Sequence, residues 1–132
     1  MEEIMSNPGD DFKLEEWERW MQDWLLDPYT TKLDESQFRL DLFDTTEAYI
    51  VEATIEDFIM REVTLTKKEQ TLTIEITPME ESPTRTRSVN FPFSLKYNPV
   101  RLYPRKGHFE IHILKALDAK PVPSVIRFQG HL

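Results

Sequence analysis

From His108 to Ile113 the chain alternates strictly: Phe109, Ile111 and Ile113 are apolar, and His108, Glu110 and His112 are polar. A period of two does not fit a helix face; it puts one apolar row and one polar row on a strand. Val100 and Leu102 show the same alternation just before it, and Gly107 between the two runs is the only glycine from Gly9 to Gly130. A residue that tolerates positive φ is most useful where two strands turn sharply into each other. Val100–Leu114 therefore predicts a hairpin. Pro104 ends its first strand, because proline cannot donate to a ladder.

The same period recurs upstream. Phe38, Leu40 and Leu42 alternate with Arg39 and Asp41, and Tyr49, Val51 and Ala53 alternate with Ile50, Glu52 and Thr54. Residues 44–47 make the turn between them. Val63 and Leu65 predict a short third strand. Leu72, Ile74 and Ile76 predict a fourth, with Lys67-Lys68-Glu69-Gln70 as the connecting turn. After a loop over 78–83, Arg85, Arg87 and Val89 lead into Phe91-Pro92-Phe93 as a fifth strand. Seven short strands at near-regular spacing, with no strong helix among them, predict an antiparallel β-sandwich. Val51, Ala53, Leu72, Ile74, Phe109, Ile111 and Ile113 are its expected inward-facing residues.

Ahead of the strands the pattern changes. Residues 1–11 are polar, acidic and broken by Pro8-Gly9, and read as disordered. Asp10 or Asp11 could cap a following helix. Leu14, Trp17, Trp20, Met21 and Trp24 then share one helical face, with Leu25 and Leu26 closing the run. Asp27-Pro28 stops it, since the residue before proline disfavours the helical region. Residues 30–37 read as a polar linker. Covering three tryptophans could contribute roughly 10 kcal/mol gross, and leaving them exposed would invite association. Two uses stay open for Trp17, Trp20 and Trp24: cover for the chain's own sandwich, or an interaction arm for a second subunit or a client. The proline stop and the linker predict that a chain beginning near Asp34 still folds.

With these residues placed, a resemblance emerges. Val100, Leu102, Gly107, Phe109, Ile111 and Ile113 resemble the signature I-x-A-x-x-x-x-G-x-L-x-I-x-I of the α-crystallin (small heat-shock protein) domain, with Leu102 for the usual alanine and Phe109 for the usual leucine. Leu40-Asp41-Leu42-Phe43-Asp44-Thr45 resembles the family's D-L-Y-E-T, Tyr49-Ile50-Val51-Glu52-Ala53 its Y-V-V-E-A, and Arg87-Ser88-Val89-Asn90-Phe91-Pro92 its R-S-F-x-L-P. Thr54-Ile55-Glu56-Asp57-Phe58 departs from the family's D-L-P-G-F turn. The resemblance covers Phe38–Lys115 and implies an all-β, immunoglobulin-like antiparallel β-sandwich with a short N-terminal amphipathic helix and an extended C-terminal tail. The arm from Glu16-Trp17 to Asp27-Pro28-Tyr29 is similar to coat and germination proteins of spore-forming bacilli, which are degenerate members of the family.

The family docks a C-terminal I-x-I segment into an apolar groove of a neighbouring subunit. Ile126-Arg127-Phe128 resembles that segment, and Leu65 and Leu102 occupy positions that by resemblance line the groove. Pro121 and Pro123 hold the approach extended. The other use of this tail is to pack on its own sandwich. The resemblance implies a homo-oligomer that assembles as a structural part of a spore coat, with other coat proteins as partners. The alternative it implies is an ATP-independent holdase for unfolding client proteins. The implied location is the mother-cell cytoplasm or the coat.

Composition excludes other classes. A chain of 132 residues suits one domain with short extensions. With no cysteine there is no disulfide, no cysteine–zinc set and no cysteine nucleophile. The first residues lack a basic and apolar leader, and no apolar run approaches the ~20 residues that span a bilayer. The expectation is a soluble intracellular protein without a membrane partner. Residues 1–47 carry 14 acids and 4 bases, a charge of −10, whereas residues 81–132 carry 3 acids and 9 bases, a charge of +6. Such asymmetry can steer copies head to tail or lay an acidic arm over a basic face. The bases form no compact, aromatic-interleaved patch, so nucleic acid is not an expected partner.

Three glycines leave no phosphate-cradling loop, and no G-x-S-x-G occurs. No catalytic residue and no cofactor is expected, and the chain does not read as an enzyme. His108, Glu110 and His112 share one face of one strand, but alternate side chains there start ~7 Å apart, near the limit for a shared metal. They are expected on the solvent face without a metal.

Overall fold

The alternating runs form strands β1 (Arg39–Asp44), β2 (Ala48–Thr54), β3 (Met60–Lys68), β4 (Thr71–Pro78), β5 (Arg85–Asn90), β6 (Val100–Pro104), β7 (His108–Leu114) and β8 (Val125–Gln129). The structure is a computed structural model that describes residues 14–26, 28–55, 59–79 and 81–129. One antiparallel sheet has the order β1-β2-β7-β6 and the other β5-β4-β3-β8. This is the antiparallel β-sandwich that the alternation predicts.

Register explains the core. Val51 faces Ile111 and Ala53 faces Phe109 across β2 and β7, and Leu72 faces Val89 across β4 and β5. All six are fully buried, as are Ile74 and Ile113. A slip of one residue would turn each of these rows to solvent, so burial holds the pairing in place. Gly107 sits at φ +79°, where a Cβ would meet nothing within 4 Å. Backbone conformation rather than space therefore calls for glycine there. The Arg105 N–H donates to His108 O at 2.9 Å beside it. Pro104 is the last residue of β6, an edge strand, where its missing donor is tolerated.

Arg87, on β5, donates to Phe38 O, just ahead of β1, at 2.7 Å. That bond puts the β1 and β5 edges on one side of the sandwich. The β6 and β8 edges therefore close the other.

Two expectations need correction. Residues 30–37 are not a linker: a helix α2 (Pro28–Ser36) follows α1 (Leu14–Leu26). Pro28 opens α2, because its fixed φ and missing donor suit a first helical position. Next, the fifth strand stops at Asn90, and Phe91 and Phe93 lie in the loop beyond it. Of the two uses left open for the tail, packing on its own sandwich is the one observed, since residues 125–129 join the second sheet as β8. The disordered reading of 1–11, the Asp10 or Asp11 cap, the helix stop at Asp27 and most of the 54–58 turn lie outside the described residues. No helix among the described residues is long and apolar enough to cross a membrane.

Candidate functional site

The tail lies on the sandwich edge that the resemblance marks as a groove, but on its own chain. In β8, Ile126 pairs with Leu65 and Phe128 with Val63. Period two makes Ile126 and Phe128 face the sandwich, half-buried against its core, while Val125, Arg127 and Gln129 are exposed. Leu65 is 1 % exposed beneath them. Leu102 is half-buried on β6, the edge strand of the other sheet, and packs against the same core. The β3–β8 ladder thus brings Leu65, Ile126 and Phe128 together, and Leu102 joins them only through the shared core.

The approach to β8 is pinned by backbone bonds. Asp118 N–H donates to Tyr97 O at 2.9 Å, Val122 N–H to Lys96 O at 3.2 Å, and Lys67 N–H to Ser124 O at 2.7 Å. A cleft of about 790 Å³ opens here between Lys67, Lys96, Pro121 and Val122. The buried Lys67 ammonium donates to Leu95 O at 3.3 Å and Asn98 O at 2.9 Å. Burial lowers its pKa below the ordinary 10.5, with Asp118 acting in the opposite direction. Nothing in the strand alternation singled out Lys67. It was expected in the turn, but β3 runs on to Lys68, which puts Lys67 at an inward position two residues after Leu65 and four after Val63.

The three tryptophans divide. Trp17 is 2 % exposed and belongs to the core, whereas Trp20 and Trp24 are half-buried against it. The Trp17 ring centroid lies 4.6 Å from that of Tyr49 and 5.0 Å from that of Trp20, with Phe91 and Phe93 at 6.4 and 6.5 Å. Of the two uses left open for the tryptophans, cover for the chain's own sandwich is the one observed at Trp17. A helix face this aromatic buries more area on the nearest apolar surface than a linker proline can hold away from it. Arg87 joins arm and sandwich. Its guanidinium binds Asp34 of α2 at 2.5 Å and Phe38 O at 2.7 Å, and lies 5.7 Å from the Trp24 ring. Sequence reasoning placed Arg87 in a strand motif without seeing this joint.

On the outer face of the first sheet, His108, Glu110 and His112 alternate as expected, half-buried. The cross-strand register adds Glu52, directly opposite Glu110. His108 Nε2 lies 3.6 Å from Glu52 Oε2 and 3.9 Å from Glu110 Oε2, and Arg105 Nε lies 3.6 Å from Glu110 Oε2. His112 Nε2 is 2.9 Å from Glu110 Oε1. That hydrogen bond holds the Glu110 carboxyl below the ordinary carboxylate range; burial opposes it, and Arg105 assists.

Three comparisons with known proteins complete the description: no family model, no curated protein and no solved structure matches the chain.

Proposed function

We propose that this protein is a non-enzymatic, self-associating β-sandwich protein of the α-crystallin type, assembled through its C-terminal strand. One observation carries the reading: the pairing of Ile126 with Leu65 and Phe128 with Val63 on an edge strand. An edge strand joined to its sheet on one side only is the element most readily exchanged between copies. The same ladder and the same two apolar contacts form whether the tail comes from its own chain or from another. Exchange therefore costs few contacts and is favoured by concentration. Burying Ile126 and Phe128 contributes roughly 3 kcal/mol, the lower end of the range for two such side chains, because both are only half covered. That is weak enough to release and strong enough to hold where several contacts act together. Reciprocal exchange closes a dimer, whereas head-to-tail exchange propagates. Assembly into a bacterial spore coat, with the mother cell as the place of synthesis, is the setting that the sequence resemblance implies.

Light scattering across a concentration series tests this on the full chain and on the double variant Ile126→Ser/Phe128→Ser. The full chain should exceed the mass of one copy at high concentration, and the double variant should not. A full chain that stays monomeric throughout, or a double variant of unchanged mass, refutes tail-driven assembly.

A second reading rests on what the tail covers. A departing β8 would expose Leu65 and the unpaired edge of β3, a template for any extended apolar segment. A holdase for unfolding clients would use that template. Suppression of client aggregation at substoichiometric ratios, lost when β8 is tied to β3 by an engineered disulfide, would favour it over a purely structural role.

A further inference from the structure

We propose that Glu52, His108 and Glu110 form a zinc-binding site on the outer face of the first sheet. On β7 alone the spacing of alternate side chains argues against a shared metal. The neighbouring strand changes the geometry by placing Glu52 opposite Glu110 and two residues from Thr54, the partner of His108, on the same face. One ligand atom from each of the three residues lies within 4.8 Å of the others. Ligand atoms around a tetrahedral zinc, each ~2.0–2.1 Å from the ion, sit roughly 3.4 Å apart. The observed 3.6 and 3.9 Å from His108 to the two carboxylates are close to that spacing, and small rotations of the glutamates close the rest.

Two further features favour a cation. Like charges directly opposite one another weaken an antiparallel pair, and Glu52 and Glu110 are such a pair. His112 engages Glu110 Oε1, which leaves Oε2 directed to His108. A hydrogen bond of that kind orients a ligating carboxylate. Imidazole with two carboxylates suits a borderline metal, whereas calcium and magnesium seek six or more oxygens. The three side chains are 23–31 % exposed, so the ion can enter and a water can complete its shell. Arg105, 3.6 Å from Glu110 Oε2, competes for the same oxygen.

The test is calorimetric titration of the chelator-treated full chain with zinc chloride, repeated with cobalt(II) to read its visible absorption. One ion per chain is expected. Glu52→Gln and His108→Ala should each weaken binding at least tenfold. His112→Ala should weaken it roughly tenfold, as loss of an orienting partner does. Arg105→Ala should tighten it, and His131→Ala should leave it unchanged. Glu52→Gln keeps shape and is checked for an unaltered melt, so a loss of binding there is not a loss of fold. Absence of one-to-one binding by the unmodified chain overturns the proposal. So does an affinity unchanged in Glu52→Gln, which would mean that the histidines alone hold the ion.

Discussion

Replacing Trp17 by alanine probes whether the N-terminal helix is part of the core. The indole is 2 % exposed and its ring contacts come from β2, through Tyr49, and from the loop after β5, through Phe91 and Phe93. Burying 150–250 Å² of aromatic surface at ~25 cal/mol per Å² is worth roughly 4–6 kcal/mol. Truncations of buried tryptophan cost about 3–5 kcal/mol, because the site relaxes in part. We expect Trp17→Ala to lose about 4 kcal/mol. A domain of this size has ~5–15 kcal/mol in total, so the loss would be a large share of it. Trp20, half-buried on the same face, should lose no more than about 2 kcal/mol. Urea unfolding followed by far-UV circular dichroism reads both, since tryptophan fluorescence itself changes with the substitution. A chain beginning at Asp34 should then be less stable than Trp17→Ala, because it also loses the Arg87 contact with Trp24. If Trp17→Ala stays within about 1 kcal/mol of the parent, or the shortened chain keeps the parent's midpoint, the helix is a separate arm and this reasoning is wrong.

Two further outcomes are expected. Arg87→Met should cost roughly 2–3 kcal/mol by leaving Asp34 and Phe38 O without their shared donor. A double-mutant cycle with Asp34→Asn should show coupling above ~0.5 kcal/mol, and additivity would remove Arg87 as the joint. Lys67 bears on pH. Its folded pKa lies below the unfolded 10.5, so between the two values the unfolded chain binds more protons and stability rises with pH. Denaturation midpoints of the parent should therefore rise relative to Lys67→Met as pH climbs toward 10.5, and parallel curves would contradict the assignment.

The sandwich was legible because its apolar rows keep a period of two from Phe38 to Ile113, and burial enforces that period in the folded chain. Helix α2 was not legible. Its residues show no apolar stripe, and it is held instead by polar contacts with distant residues: Asp34 pairs with Arg87, and Gln37, just after the helix, accepts through Oε1 from the Thr86 N–H at 3.0 Å. The Glu52–His108–Glu110 cluster was half legible. The β7 members stand in one strand, but only the β2–β7 register shows that Glu52 is the residue opposite Glu110. For the tail, the sequence contains Ile126 and Phe128 and the prolines that hold their approach extended. It does not say which copy's β3 they meet.

That last ambiguity bears on assembly more than any other. The sequence offers two handles for a second copy, the tryptophan helix and the tail, and a charge asymmetry that could align copies. The helix is largely occupied within the chain, with Trp17 in the core and Trp20 and Trp24 half-buried against it. Part of the charge asymmetry is occupied as well, because the Asp34–Arg87 ion pair joins the acidic arm to the basic half, and Lys115 pairs at 2.5 Å with Asp44 at the end of β1. What stays exchangeable is the element whose contacts are shallow and one-sided. Among the described strands β6 and β8 both combine an edge position, a half-buried apolar row and a proline-containing approach, but β6 is joined to its partner β7 by the short turn over 105–107, whereas β8 meets β3 only through its ladder and side-chain contacts. In the assembly proposed above, its ladder to β3 would be the same in one chain or two, so the balance between the two forms would be set by concentration and by the stiffness of residues 115–124. Within one chain the tail keeps Leu65 covered. In the proposed assembly the same fit would supply the contact when copies are crowded.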